Sequence, residues 1–203
     1  MDIQTLRAVA IATADNDVRT WLNGVRIEQG RMVATDGHRM HVAKIEYDGQ
    51  AVTMPIKTVR DIVKIAKKGD FEIECLTPRF KGDDAVIWQA KVKGFKMEFS
   101  PPKGTFPDWR KVIRTPTGEP AQYNPRFLRD VQLAAEILAG RKLIHDPSIV
   151  VFPSGDMAGL VLADGEPGFA AVVMPWMVDS ELKPSRAAWL EEHPAEPATD
   201  QPV

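Results

Sequence analysis

Three times along this chain a segment of helical period is followed by short runs of strand period, and that repetition restricts the possible folds more than any single motif. In the first copy Ile3, Leu6, Val9 and Ala10 recur at helical spacing and predict an amphipathic helix from residue 3 to about residue 14. Residues 19–27 then alternate, with Trp21, Asn23, Val25 and Ile27 on one face. Gln29-Gly30 turns the chain, and residues 31–35 and 39–45 complete a meander. After a polar break at 46–50, residues 55–68 read as a second helix stopped by Gly69. Strands follow at 71–76, 85–92 and 95–100, with Lys93-Gly94 as a turn. In the third copy Asn124 offers a capping side chain ahead of Pro125, and Gly140 marks the stop. Phe127, Leu128, Val131, Ala135 and Leu138 supply its apolar stripe, and strands follow at 149–152, 160–163 and 169–175. Val59-Arg60-Asp61 of the second helix returns as Leu128-Arg129-Asp130 on the third. The reading is an α+β fold of helix-plus-antiparallel-strands units, with the helices on one face of the sheets.

Between the second and third copies, Pro101-Pro102-Lys103-Gly104 breaks regular structure, and residues 114–121, rich in Pro, Gly and Thr, read as a linker. The domains expected are therefore 1–113, holding two units, and 122–178, holding one. The net charge of −2 hides an asymmetry: residues 179–203 carry six carboxylates against Lys183 and Arg186, which leaves the body mildly basic. That segment also holds Pro184, Pro194, Pro197 and Pro202 and is expected to be a disordered acidic tail. Its apolar island Ala187-Ala188-Trp189-Leu190 is either incidental or a docking segment. No apolar run approaches the ~18 residues of a membrane span, and Met1-Asp2-Ile3-Gln4 lacks the regions of a signal peptide, so a cytoplasmic protein is expected. The one cysteine, Cys75, excludes an internal disulfide and is expected to be a small core residue.

Within the first meander, Val33-Ala34-Thr35-Asp36-Gly37-His38-Arg39-Met40 reads as a hairpin turning at Asp-Gly. Its tip places a hydroxyl, an imidazole and a guanidinium beside an apolar Met. Together with Asp17-Val18-Arg19-Thr20-Trp21-Leu22-Asn23-Gly24, this stretch resembles the start of the middle domain of the bacterial sliding clamp family, the β subunit of DNA polymerase III. Phe106-Pro107-Asp108-Trp109-Arg110-Lys111-Val112 resembles that domain's closing segment. Tyr123-Asn124-Pro125-Arg126-Phe127-Leu128 and Val172-Val173-Met174-Pro175 resemble parts of the last domain. Four signatures in the family's order are more specific than any one of them. The resemblance covers the middle domain and half of the last one, with no counterpart of the first. It implies a DNA-clamp-like fold, in a family whose ring is built from twelve such half-domain units. A ring from this chain would need a homo-oligomer of four copies or a second protein.

The resemblance further implies a cleft that captures short peptides, with glutamine and bulky apolar residues, from polymerases or repair proteins. The matching positions are Leu22, Thr35, Gly37, His38, Arg39, Met40, Pro107, Lys111, Val112, Val172, Met174, Pro175 and Trp176. An apolar slot with a few polar groups at its mouth is what an apolar anchor requires, and methionines suit several partners. Lys111 and Trp176 depart from the family's arginine and methionine.

For duplex DNA, Lys57, Arg60, Lys64, Lys67 and Lys68 fall within an arc of about 100° on the second helix, opposite Val59, Ile62 and Ala66. Such a face would hold the phosphate backbone without reading sequence. Arg126 and Arg129 support it, and the family's DNA-touching loop nominates Arg19 and Trp21. An ordinary solvated helix face is the alternative. As metal ligands, Asp36 and His38 share one face of an extended chain while His41 lies on the other. No phosphate loop, nucleophile elbow or paired-carboxylate pattern occurs. The expectation is a noncatalytic processivity factor of DNA replication, without cofactor or metal. Alternatives are a reduced clamp homologue acting as an adaptor or competitor that does not encircle DNA, and, more distantly, a hydrolase using Asp36 and His38.

Overall fold

The computed structural model describes residues 1–77, 86–141 and 149–176. Helix α1 (Ile3–Ala10) leads into β1 (Gly24–Glu28), β2 (Arg31–Thr35) and β3 (Arg39–Lys44). A short strand, β4 (Val52–Pro55), precedes α2 (Ile56–Ile65), which is followed by β5 (Phe71–Cys75), β6 (Trp88–Val92) and β7 (Phe95–Phe99). The long helix α3 (Pro125–Ala139) precedes β8 (Ile149–Phe152), β9 (Gly159–Ala163) and β10 (Phe169–Val173). Three strands follow α1 before the short β4, and three follow each of α2 and α3; apart from β4 this is the order the sequence periodicity predicts. The caps are local: Asp2 accepts from the Thr5 amide at 2.7 Å, and Asn124 accepts from the Arg126 amide at 3.0 Å. Gly140 closes α3 in the left-handed conformation, φ +68°.

The strands form a seven-stranded antiparallel sheet in the order β4-β1-β2-β3-β10-β9-β8, and a three-stranded sheet, β5-β6-β7. The β3–β10 ladder runs from Ala43 opposite Phe169 to Arg39 opposite Val173. The first and third units therefore share one sheet although the linker separates them in sequence. Helix α1 packs between α2 and α3, and its Ile3, Leu6 and Val9 meet Val25, Ile27, Val59, Ile62, Val131 and Ala135 in the main core. Full burial of each Ile, Leu or Val side chain among them stabilises the fold by roughly 1.5–3 kcal/mol. Because side chains alternate along a strand, Val33, Met40, Val42 and Val172 project to the other face of the sheet. There they join Phe106 and Trp109 in a second, smaller cluster.

Several local expectations change. Helix α1 ends at Ala10 because the chain tightens into three-residue turns, with Ala12 bonded to the Val9 carbonyl and Thr13 to that of Ala10. Trp21 and Asn23 do not extend β1: Thr20–Leu22 is a 3-10 turn, fixed by the Asn23 side chain bonding both the amide and the carbonyl of Asp17. Strand β4 has no counterpart in the sequence reading; its four residues between the polar break and α2 become the sheet edge beside β1. Helix α2 stops at Ile65 because Ala66 turns extended, φ −148°, to bury its methyl group. Lys67 and Lys68 thus leave the helix, and only Lys57, Arg60 and Lys64 remain on its basic arc. The strand expected at 85–92 begins at Trp88. That expected at 169–175 ends at Val173, where the next amide bonds the His38 carbonyl and Pro175 has no amide hydrogen. Cys75 is exposed at the end of β5, not a core residue. The tail 179–203, with Trp189 and Leu190, lies outside the described residues. Among the described residues no helix is long and apolar enough to cross a membrane.

Candidate functional site

Above the smaller cluster lies a cleft of about 250 Å³ with a predominantly apolar lining. Leu22 and Trp21 of the 3-10 turn form one side. Thr35, Gly37, Arg39 and Met40 of the hairpin tip form the next. Pro107, Asp108, Trp109 and Val112 form a third, and Val172 and Met174, from β10 and its end, close the cleft from the other unit.

Each wall is held by bonds that its own sequence explains. At the tip, Asp36 accepts from the amides of His38 at 2.8 Å and Arg39 at 3.0 Å, while Gly37 takes φ +92°, which favours glycine. The Thr35 hydroxyl donates to the Arg39 carbonyl at 2.7 Å. The segment Trp109–Val112, a second 3-10 turn, is tied to β1 by Glu28. This carboxylate accepts from the Trp109 indole at 3.1 Å and from Arg110 at 2.7 Å. Burial pushes the Glu28 carboxyl up, but these bonds and the charges of Arg110 and Arg26 outweigh it and leave its pKa below the usual value. The Arg110 guanidinium also lies 4.3 Å from the centre of the Trp109 ring. Arg19 donates to both oxygens of Asp17, at 3.0 and 2.8 Å, and that side-chain bonding brings the Asp17 pKa down to about 2.

Four cations at or beside the cleft each face a carboxylate: Arg19 with Asp17, Arg39 with Asp36 and Asp130, Arg110 with Glu28, and Lys111 with Asp108 at 3.6 Å. What the cleft offers a ligand is apolar surface and neutral hydrogen-bonding groups.

Of the positions carried over by resemblance, Leu22, Thr35, Gly37, Arg39, Met40, Pro107, Val112, Val172 and Met174 converge on this cleft. His38 does not: its ring stacks on Phe127 of α3, centroids 6.3 Å apart. Lys111 points to solvent, and Trp176, 68% exposed, pairs by its backbone with Gln122 beyond the lining that Met174 ends. Pro175 also stands outside that lining. Arg19 and Trp21, nominated for DNA, line the cleft, and Asp108 and Trp109 join it unpredicted. Their signal is in the run Phe106-Pro107-Asp108-Trp109, of which the resemblance supplies only Pro107.

The basic side is less free than its residue count suggests. Lys57 and Lys64 both pair with Asp61, at 3.7 and 3.1 Å, and Arg60 pairs with Asp15 at 3.0 Å. Lys67, Lys68, Arg126 and Arg129 are exposed, and none of them makes an ion pair among the described residues. The three candidate metal ligands do not converge. His38 is exposed at the tip, whereas His41 is fully buried, its Nδ1 donating to the Ala8 carbonyl at 2.9 Å and its ring edge-on to Phe169. Among the described residues no group of three His, Cys, Asp or Glu could hold a metal.

Repeated helix-plus-three-strand units that share a sheet across a unit boundary define a class, the DNA-clamp-like α+β proteins. Solved structures bear this out as a fold. The DNA polymerase sliding clamp of Caulobacter crescentus superposes with TM-score 0.66 at 18% identity, over 87% of this chain and 63% of that one. The DNA polymerase III β subunit of Thermotoga maritima gives TM-score 0.64 at 15% identity, over 87% of this chain and 63% of that one. Residues 3–108, more than half of the chain, match the family described as DNA polymerase III beta subunit, central domain, and the chain belongs to that family. It is 31% identical over 137 residues to the beta sliding clamp of Vibrio cholerae, a match covering 64% of this chain and 36% of that protein. To the beta sliding clamp of Escherichia coli K12 it is 27% identical over 145 residues, covering 68% of this chain and 38% of that protein. The match thus spans well under two thirds of the length of these curated relatives.

Proposed function

We propose that this protein is a noncatalytic, sliding-clamp-like accessory factor of DNA replication in the cytoplasm, tethering polymerase or repair proteins to DNA through its cleft. The observation that carries the reading is the cleft itself. Nine positions drawn from four separated stretches of sequence converge on one apolar hollow between two units. Such a hollow suits the insertion of bulky apolar anchors from a linear peptide, and Met40 and Met174 allow it to adapt to more than one sequence. The test is titration of the full chain with a labelled peptide containing a glutamine and two bulky apolar residues. Saturable binding abolished by Met40→Asp supports the reading, and no binding at submillimolar peptide refutes it.

On this reading residues 1–113 act as a complete clamp-like domain and 122–178 as a half domain. Lys57, Arg60, Lys64, Lys67, Lys68, Arg126 and Arg129 would face duplex DNA as a nonspecific electrostatic surface, with Arg19 and Trp21 at its edge. A second reading is that the chain is a reduced clamp homologue, an adaptor or competitor that binds clamp partners without encircling DNA. What favours it is the pairing of Lys57, Arg60 and Lys64 with Asp61 and Asp15, which leaves these three cations a net charge of only about one.

A further inference from the structure

We propose that Asp130 and Phe127, which stand outside the cleft lining, are positioning residues that hold the hairpin tip in place as its wall. The inference rests on the peptide-binding reading above. Asp36, Gly37 and His38 form a short connection at the surface, and the bonds from Thr35 and Asp36 fix only its internal shape. Apart from a 3.5 Å bond from Arg19 to the Asp36 carbonyl, attachment to the body comes from the two residues that follow the glycine. Arg39 is only 13% exposed and donates to three separate pieces of chain: Asp36 of the tip at 3.2 Å, the Ile11 carbonyl after α1 at 3.0 Å, and the Asp130 carboxylate of α3. Its guanidinium lies 4.9 Å from the centre of the Phe127 ring, the ring on which His38 stacks.

Phe127 and Asp130 are three residues apart and so lie on one side of α3, where together they grip both tip residues. The sequence repeat makes the contrast plain. Asp61, at the matching place on α2, pairs within its own helix, whereas Asp130 reaches across the unit boundary. The third unit thus supplies one wall, β10, and braces a second, the tip, through α3. Losing Asp130 leaves Arg39 its Asp36 partner, so the charge is not stranded and the fold should survive the substitution.

The experiment compares the full chain with Asp130→Ala, Asp130→Glu and Phe127→Leu variants by amide hydrogen exchange, peptide titration and thermal melting. The amides to follow are His38, Arg39 and Met174, the last bonded to the His38 carbonyl at 2.8 Å. Expected for Asp130→Ala is faster exchange at these three amides with β1 unchanged, and peptide affinity about tenfold weaker, with Asp130→Glu recovering most of both. Wild-type exchange at the tip, or acceleration spread over the whole sheet in step with a lower melting temperature, overturns the proposal. So does tip-specific acceleration with undiminished peptide affinity. If the wild-type chain itself binds no peptide, the cleft reading fails, and the exchange comparison still decides whether Asp130 orders the tip.

Discussion

His41 is the residue whose burial has the plainest thermodynamic consequence. Its ring lies in the core with Nδ1 donating to the Ala8 carbonyl and Nε2 unpartnered, and burial lowers its pKa from 6.5 to about 4. The unfolded chain therefore binds the proton at a higher pH than the folded one. The stability that the neutral ring confers is complete above pH 6.5, begins to fall below it, and is lost once the pH passes below about 4. The loss should reach up to ~3 kcal/mol, read from urea unfolding between pH 7.5 and 4. A His41→Gln variant, which keeps a donor for Ala8, should show a flatter dependence. Gly104 has a different constraint: its φ is +104°, and a Cβ there would fall on the Trp21 ring that lines the cleft. Gly104→Ala should cost ~1–3 kcal/mol of stability and displace Trp21, which a shifted tryptophan emission spectrum would reveal.

The elements around the cleft depend on side chains from elsewhere in the fold. The 3-10 turn Trp109–Val112 pairs with no strand; it is held by the packing of Trp109 on β2, β3 and β10 and by the bonds to Glu28 of β1. Glu28→Ala would leave the indole N–H of the buried Trp109 without its partner. It should destabilise the fold by ~1–3 kcal/mol and weaken peptide binding, checked by denaturation and titration of one preparation. On α2, Asp61 occupies two lysines at once. If that face meets DNA, Asp61→Asn should tighten binding to duplex DNA and steepen its dependence on log salt by about one unit. An unchanged slope would detach α2 from DNA contact.

For the whole molecule, the two proposed surfaces should answer differently to salt. The two cations that line the cleft, Arg19 and Arg39, are paired, so peptide affinity should change by no more than about twofold between 0.05 and 0.3 M salt, while DNA affinity falls steeply. Mass by light scattering, with and without circular DNA, separates the readings. A tetramer retained on circular DNA favours a self-sufficient ring, and a monomer that still binds peptide favours the adaptor.

The three-unit order was legible in the sequence because amphipathic period and capping chemistry are local: Asn124-Pro125 and Gly140 bound α3 in the structure as they do in the chain. The Asp36-Gly37 tip was legible for the same reason. What the sequence could not show was which strand edges would meet. The β3–β10 ladder joins residues more than a hundred positions apart, and only that pairing brings Val172 and Met174 to the tip. Side-chain direction was equally hidden. Arg39 and His38 share the tip with Met40, but their reach to Asp130 and Phe127 follows from where α3 docks. Trp21 and Arg19 turned toward the cleft because the Asp17–Asn23 bonds curl their segment away from β1. The sequence by itself determined the units and the turn chemistry, since these depend on neighbours along the chain. The tertiary structure alone decided the cleft, because its walls are made by long-range strand pairing and by ion pairs between units.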